Sequence, residues 1–181
     1  MSRLSRVDEH SNPELAATYQ RIVETRGYVS NILMSYAHAP DGLRCFAALG
    51  EYVRYRTELP ARLREFAILA IARGIQYAWT HHVPAALKAG ITQAELDAFN
   101  AGAFPPTISA AERAAVAYAR EFANLGRVSD ATFGELRRHL SERQVTDLTL
   151  LCGYFIALGC TINAFRVELE DDRKPLMRPV A

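Results

Sequence analysis

Apolar positions recur with a period near 3.6 residues along almost the whole chain, which is the spacing of one face of an α-helix. The period-two alternation of a β-strand is hard to find outside residues 26–33. The pattern therefore predicts an all-α fold. With 181 residues, half of them apolar, the chain is long enough for a substantial core, and we expect a single helical domain over residues 1–181.

Proline, glycine and capping residues mark where these helices begin and end. Asn12-Pro13 is a cap followed by proline at the first helical position, and Gly27 ends that helix. Two capping boxes, Thr92–Glu95 and Ser109–Glu112, predict further helix starts. The remaining predicted helices begin at Pro40 and Pro60 and then span Ala110 to Leu125, Asp130 to Leu140, and Ser141 to about Glu168. The charged, proline-containing segment from about residue 170 is expected to be a loose tail.

The charge pattern argues against polyanionic partners. The chain has 21 basic and 20 acidic residues, a net charge of +1, and the two signs are interspersed. Nucleic acid and anionic membranes are therefore not expected as partners, because both need a basic patch. The N-terminus lacks the apolar core of a signal peptide, and no window approaches the roughly 20 apolar residues of a membrane span. We expect a cytoplasmic protein.

Three cysteines carry no recognisable metal or disulfide pattern. Cys45, Cys152 and Cys160 show neither Cys-x-x-Cys spacing nor a partnering with histidines that would suggest zinc, so no metal site is predicted. Cys152 and Cys160 lie eight apart on a predicted helix, about 12 Å along its axis, which is too far for a disulfide. We expect all three to be small core residues.

Glu65 is the first candidate for chemistry. It precedes seven consecutive apolar residues, 66–72, which cover every side of two helical turns and so predict an interior helix. Two readings stay open for its carboxylate. Desolvation by aliphatic neighbours would raise its pKa and make it an acid or base, whereas pairing with Arg62, one turn back, would lower the pKa and make it structural.

A polar cluster follows at Tyr77, Trp79, His81 and His82. Because Pro84 is best tolerated in a first helical turn, we predict a helix that begins near Trp79 to His82. The positive potential of a helix start would favour neutral imidazoles, which suit a base near pH 7. Adjacent helical residues diverge by about 100°, so only one histidine is expected to face a pocket, with His82 slightly preferred. In the alternative reading one histidine is simply buried and the other lies on the surface.

These residues carry a family resemblance. The elements Leu59-Pro60, Arg64-Glu65, Ile68-Leu69, Tyr77-x-Trp79-x-His81-His82, Ala89-Gly90-Ile91 and Glu95-Leu96 resemble the carboxymuconolactone decarboxylase / alkylhydroperoxidase D-like family. The core of the resemblance covers residues 59–99. It implies an all-α helical bundle whose protomers assemble into trimers or hexamers, with the motif helices near the subunit interfaces.

The resemblance separates two branches of the family. The peroxidase branch carries a glutamate, matched by Glu65, then Cys-x-x-Cys, then a histidine. The cysteine positions hold Tyr77 and Thr80, and the histidine position holds Pro84. A phenol and an alcohol cannot form the thiolate or disulfide of thiol peroxidase chemistry.

The decarboxylase branch then implies a cofactor-free lyase acting on a small carboxylated lactone or related ring compound. Its expected residues are Glu65 with His82 or His81 as catalytic acid/base groups, and Tyr77, Trp79 and Thr80 in substrate binding. One alternative is an antioxidant protein of the peroxiredoxin type that uses the other cysteines. A second alternative is a non-catalytic oligomeric scaffold.

Overall fold

The computed structural model describes residues 2–125 and 127–178. Within those ranges every regular element is a helix, which confirms the all-α prediction. The described residues form a short 3-10 helix, Glu9–Ser11, and nine α-helices: α1 Pro13–Arg26, α2 Asn31–Met34, α3 Pro40–Tyr55, α4 Ala61–Ala72, α5 Gln76–Lys88, α6 Gln93–Asn100, α7 Ala110–Leu125, α8 Asp130–Arg137 and α9 Glu142–Phe165.

Most helix boundaries follow the local capping chemistry. The Asn12 side chain accepts hydrogen bonds from the first amides of α1, and Gly27 ends that helix in the left-handed conformation, at φ 81°. Both predicted capping boxes are present, at Thr92–Glu95 and Ser109–Glu112. The last helix ends at Phe165, three residues before its predicted end. The capping residues therefore predict where these helices begin more accurately than the apolar periodicity predicts where the last helix ends.

Helix α4 lies at the centre of the molecule. It packs against α5, α7 and α9, and every residue from Glu65 to Ala72 is buried. Each buried leucine or isoleucine there contributes about 1.5–3 kcal/mol relative to its exposed state. The helix is thus held in place by apolar packing on all sides, and its one carboxylate has little access to solvent.

The last helix, α9, is the second long element of the core. It packs on α4 and α3, and Leu148, Leu151 and Cys152 lie in the main apolar cluster. The prediction that no segment approaches a membrane span is wrong for this helix, because it has 24 residues and contains a window with a mean hydropathy of 1.7, long and apolar enough to cross a bilayer. The helix also contributes to the core, where 39% of that window is buried, and core helices reach the same hydropathy.

One buried carboxylate ties α9 to the end of α3. Asp147 is fully buried and accepts hydrogen bonds from the Tyr52 hydroxyl and, at 2.9 Å, from the Glu58 amide. Arg143, one turn earlier on α9, approaches the same carboxylate at 3.3 Å. Because each of these donors needs an acceptor, Asp147 fixes where the chain leaves α3 and turns into α4.

The first three helices form a layer of their own. Their apolar faces meet in a second cluster that includes Leu15, Tyr19, Ile22, Leu33 and Leu43. Arg26 lies in the last turn of α1 and Arg54 in the last turn of α3. This packing brings both arginines to the same end of the layer, where they meet α5 and α9 around a common cavity.

Helices α4 and α5 form an antiparallel hairpin through a turn at Gly74, whose φ is 87°. The predicted start of α5 near Trp79 to His82 is wrong, because the helix begins at Gln76. Pro84 consequently lies inside the helix, where its missing N–H leaves the carbonyl one turn earlier without a helical donor. The two histidines therefore occupy the middle of a helix rather than its first turn.

The C-terminal segment, residues 170–178, differs from the predicted loose tail. The Glu170 side chain is held by α2 and α5. Further along, the Leu176 amide donates to the Thr80 hydroxyl at 3.0 Å, and the Asn100 side chain donates to the Arg178 carbonyl at 2.7 Å. The segment is docked because its polar groups meet buried partners, which a charged and proline-containing sequence does not reveal.

Candidate active site

The hairpin of α4 and α5 brings Glu65 and His82 into direct contact. Glu65 lies two turns before the end of α4, and His82 nearly two turns after the start of α5, so an antiparallel arrangement sets them side by side. The Nδ1 atom of His82 lies 2.9 Å from Oε2 of Glu65. Both residues are buried, with 5% of Glu65 and 3% of His82 exposed. The sequence prediction that these two groups converge is therefore confirmed by their geometry.

The environment of the pair sets its charges. Burial acts to raise the pKa of Glu65, but the hydrogen bond and charge of His82 outweigh it and hold that pKa below its ordinary value. Burial lowers the pKa of His82 in spite of the neighbouring carboxylate. At pH 7 Glu65 is an anion and His82 a neutral imidazole whose Nδ1–H donates to it. The cause is desolvation, and not the helix-end potential expected from the sequence.

Neither of the two readings of Glu65 holds as predicted, because its pKa is lowered rather than raised and the cause is His82 rather than Arg62. Arg62 does not pair with it. Its guanidinium binds Glu95 and, at 2.8 Å, Glu112, which belong to the capping boxes of α6 and α7. The nearest cation to Glu65 is Arg64, whose Nε is 3.6 Å away. Arg62 therefore links the starts of α6 and α7 through Glu95 and Glu112. The hydrogen-bond partner of Glu65 is His82.

His82 borders a small enclosed space. The cavity has a volume of about 70 Å³, and its wall includes Arg26, Arg54, Tyr77, His81, His82 and Tyr154. An ordered water needs roughly 10–15 Å³ by the same measure, so the space suits a ligand part of about five non-hydrogen atoms. No hydrogen-bond partner of Nε2 of His82 is found among the described residues. This nitrogen is the free end of the buried pair.

His81 also lines the cavity but is engaged in a different network. Its Nε2 lies 2.8 Å from Glu170, its Nδ1 lies 3.1 Å from the Tyr28 hydroxyl, and its ring stacks on Tyr77. Burial acts to raise the pKa of Glu170, but hydrogen bonds from His81, the Asn31 amide and Tyr77 lower it to about 2. His81 therefore anchors the C-terminal segment through Nε2 and contacts Tyr28 through Nδ1, so that of the two cavity histidines His82 is the one with a nitrogen that has no partner among the described residues.

The three residues predicted to bind substrate have different positions. Tyr77 lines the cavity, but its hydroxyl donates to Glu170 at 2.7 Å and accepts from the Ile32 amide. Trp79 is packed in the main apolar cluster and Thr80 holds Leu176, and neither is part of the cavity wall. The prediction is wrong in placing Trp79 and Thr80 at the cavity, because a helix that begins at Gln76 turns both towards other neighbours.

The cysteines lie apart from this site. All three are free thiols, and none lines the cavity. The expectation of three core residues holds for Cys152 alone, since Cys45 and Cys160 are exposed. Burial raises the pKa of the Cys152 thiol to about 12, so it is not a thiolate at neutral pH. Within residues 2–125 and 127–178, no group of three or more histidine, cysteine or acidic side chains is arranged to hold a metal ion.

Sequence reasoning missed three cavity residues. Arg26 and Arg54 stand in the last turns of their helices, where a cation is expected to complement the helix dipole, so nothing in the pattern singles them out. Tyr154 lies within the apolar run of α9 and looks like a core aromatic. The only signal was its hydroxyl group, which a buried position must satisfy.

Comparison with known proteins agrees with the motif. Residues 40–121 match the Carboxymuconolactone decarboxylase family. Among curated proteins, none matches the sequence.

Solved structures share the fold at low sequence identity. An uncharacterized peroxidase-related protein from Ralstonia eutropha JMP134, described as an alkylhydroperoxidase AhpD core, superimposes with a TM-score of 0.79 at 21% identity, over 94% of this chain and 93% of that chain. A peroxidase-related protein from Silicibacter sp. TM1040 gives a TM-score of 0.75 at 17% identity, over 94% and 93% of the two chains.

A third neighbour has a named activity. The debrominase Bmp8, as a cysteine-to-alanine variant in complex with 2,3,4-tribromopyrrole, superimposes with a TM-score of 0.74 at 21% identity, over 94% of this chain and 95% of that chain. At such identities these structures establish the fold alone. The match of residues 40–121 and the AhpD-like fold together support the resemblance of this chain to the carboxymuconolactone decarboxylase / alkylhydroperoxidase D-like family, with the Cys-x-x-Cys motif absent.

Proposed function

We propose that this protein is a cofactor-free acid/base enzyme of lyase type that acts on a small carboxylated lactone or related ring compound. The observation that carries the proposal is the buried hydrogen bond from His82 to Glu65, with His82 also part of the wall of a small cavity. A carboxylate that orients a neutral imidazole is the arrangement of a general base. Glu65 holds the tautomer, and Nε2 of His82 exchanges the proton.

The reaction balances with these two residues. The bond between the ring carbon and the departing carboxylate breaks, its electron pair spreads into a conjugated carbonyl, and carbon dioxide leaves. Nε2 of His82 takes a proton from solvent and delivers it to the carbon that has gained the electron pair. The imidazolium that forms briefly is stabilised by the Glu65 carboxylate at 2.9 Å. The proton-transfer half of this cycle can also exchange a proton at an activated carbon of a ligand that does not lose carbon dioxide.

The size of the site and one structural neighbour support a small ring compound. The cavity of about 70 Å³ admits only part of a larger molecule, with Tyr28 and Tyr55 half exposed at its edge. The debrominase of the same fold is described in complex with 2,3,4-tribromopyrrole, which is itself a small five-membered ring. Neither fact identifies the ring, but both favour ligands of that size over polymers or lipids.

Proton exchange in heavy water tests the proposal. Carboxylated five-membered lactones and 2-oxo acids are incubated with the protein in D2O, and loss of ligand C–H signals is followed by proton NMR. We expect exchange with the wild type and a loss of at least about a hundredfold in Glu65→Gln and His82→Gln. His10→Gln, at an exposed histidine, is the matched control. Unchanged exchange in both site variants would falsify the assignment.

The antioxidant alternative makes a separate demand. A thiol peroxidase must consume peroxide with a dithiol donor and lose that activity when Cys45, Cys152 and Cys160 are all replaced by serine. Because Cys152 is buried with a raised pKa and the other two cysteines do not line the cavity beside His82, we expect no thiol-dependent turnover.

The scaffold alternative predicts instead that His82→Gln changes the molar mass in light scattering and that no lactone or keto acid binds.

A further inference from the structure

The cavity beside His82 presents positive charge and no negative charge. Arg26 and Arg54 both line it, and none of the described lining residues is an aspartate or glutamate. The two carboxylates of the site bind the histidines of the cavity wall and are not part of that wall. Glu65 contacts His82, and Glu170 contacts His81. The charged groups that a ligand meets in the cavity are therefore guanidinium groups, and the other polar groups of its wall are imidazole, phenol and the Ser30 hydroxyl.

Neither arginine forms an ion pair with a carboxylate within the part of the chain that the structure describes, although the charge of Arg54 contributes to the lowered pKa of Glu65. The guanidinium of Arg26 donates only to the Ala47 carbonyl, at a long 3.4 Å, and that of Arg54 lies 5.6 Å from the centre of the Tyr55 ring. Arg56, two residues further along, pairs with Glu51 at 3.0 Å. A half-buried cation without a counter-ion raises the free energy of the folded protein. A bound anion would therefore stabilise Arg26 and Arg54 together.

Tyr154 adds an independent sign of a missing ligand. Tyr154 is 2% exposed, it lines the same cavity, and its hydroxyl has no hydrogen-bond partner among the residues that the structure describes. Gly50 leaves room for this arrangement, because a Cβ at that position would overlap the Tyr154 hydroxyl and stand 2.6 Å from Nη2 of Arg26. Buried hydroxyls are nearly always satisfied, so an unpaired one next to a free guanidinium marks a place for an acceptor.

We infer that Arg26, Arg54 and Tyr154 form a carboxylate-binding subsite, and that the ligand of this cavity is a small acid with a carboxylate held by these three side chains. Two guanidinium groups and one hydroxyl match the planar, four-lone-pair carboxylate. The inference rests on the proposed function for the reaction at His82, whereas binding at the subsite is measurable without turnover.

The subsite holds a carboxylate that the substrate keeps. Two arginines around a departing carboxylate would stabilise the charge that the reaction must remove and so slow the loss of carbon dioxide. An enzyme that uses both features needs a substrate with a retained carboxylate at the arginines and the reacting group at His82. Specificity for acids over their amides and esters follows from the same geometry.

Calorimetric binding of cyclopropanecarboxylate and cyclopropanecarboxamide, which match in shape and differ in charge, tests the subsite. We expect the wild type to bind the acid at least tenfold more tightly than the amide. Arg26→Met and Arg54→Met should each weaken acid binding by about tenfold or more, since a charged hydrogen bond is worth that ratio. Arg56→Met, just beyond the same helix as Arg54 but paired with Glu51, should bind like the wild type.

Tyr154→Phe supplies a variant that keeps the packing of the ring. It should weaken acid binding by about threefold to tenfold and leave the melting temperature unchanged or higher, because the hydroxyl has no partner to lose. Equal binding of acid and amide, or wild-type binding in both arginine variants, overturns the subsite. If arginine-dependent binding is found while no ligand exchanges protons in D2O, the subsite stands and the proposed function fails.

Discussion

The hydrogen bond between Glu65 and His82 leads to a prediction that needs no substrate. Glu65→Leu removes the acceptor of the Nδ1–H and offers no replacement, because His82 is 3% exposed. A buried donor without a partner costs about 1–3 kcal/mol. Part of this is offset because leucine carries no charge to desolvate. We therefore expect the free energy of unfolding to fall by about 2 kcal/mol, and by less than about 1 kcal/mol in Glu65→Gln, whose amide oxygen still accepts.

Urea unfolding measures the change in stability, and nitrogen-15 NMR measures the tautomer of His82. With a urea slope of about 2 kcal/mol per molar, the midpoint of Glu65→Leu should fall by about 1 M. In the wild type at pH 7.5 the imidazole of His82 should be protonated at Nδ1 only, and Glu65→Leu should release it to the Nε2–H tautomer. Glu24→Leu, at an exposed carboxylate on α1, is the control. An unchanged tautomer and an unchanged midpoint in Glu65→Leu would show that this hydrogen bond does not hold the histidine.

Four further predictions follow from buried groups. Asp147→Asn should lower the free energy of unfolding by about 2–3 kcal/mol in urea, because an amide nitrogen then faces buried donors; a change below about 0.5 kcal/mol would contradict this. The folded-state pKa of His82 lies below 6.5, so the unfolded chain binds the proton first as pH falls. The free energy of unfolding should thus decrease from pH 6.5 towards the folded-state pKa, by about 1.4 kcal/mol for each pH unit between the two pKa values, and His82→Gln should lack this decrease. Iodoacetamide should label the two exposed cysteines in the native protein and spare Cys152 by mass spectrometry, and equal labelling would show that Cys152 is accessible. Glu170→Ala should raise amide hydrogen exchange in residues 171–178 by about tenfold or more, whereas unchanged exchange would mean that other contacts hold the segment.

Local chemistry explains which helices could be predicted. The cap at Asn12, the boxes at Thr92 and Ser109, and the proline at position 40 act within four residues of themselves, so the sequence contains the whole interaction. The start of α5 is different. No side chain caps it, and its position depends on the turn at Gly74 and on packing against α4, so Pro84 misled the prediction by three or more residues.

The residues of the candidate site also differ in how far the sequence could predict them. Glu65 and His82 could be named as candidate partners from the sequence because they are ionisable groups set in strongly apolar sequence, whereas the hairpin that joins them is known only from the fold. Arg26, Arg54 and Tyr154 could not, since they come from three helices whose meeting point is set by tertiary packing. Glu170 was hidden for a related reason. A carboxylate in a charged segment is usually solvated, and only the positions of Tyr77 and His81 give it a buried partner.

The two positions that hold cysteines in the peroxidase branch have a shared role in this chain. The Tyr77 hydroxyl donates to Glu170, and the Thr80 hydroxyl accepts from the Leu176 amide, so both bind the same C-terminal segment. A thiol is a poor substitute for either, because it is a weak donor and a weak acceptor. Glu170 of this segment also binds Nε2 of His81, whose Nδ1 contacts Tyr28, and burial and the same carboxylate raise the pKa of Tyr77. Since Tyr77 and His81 are engaged in these contacts, the proton chemistry that we propose is assigned to His82, whose Nε2 has no hydrogen-bond partner among the described residues.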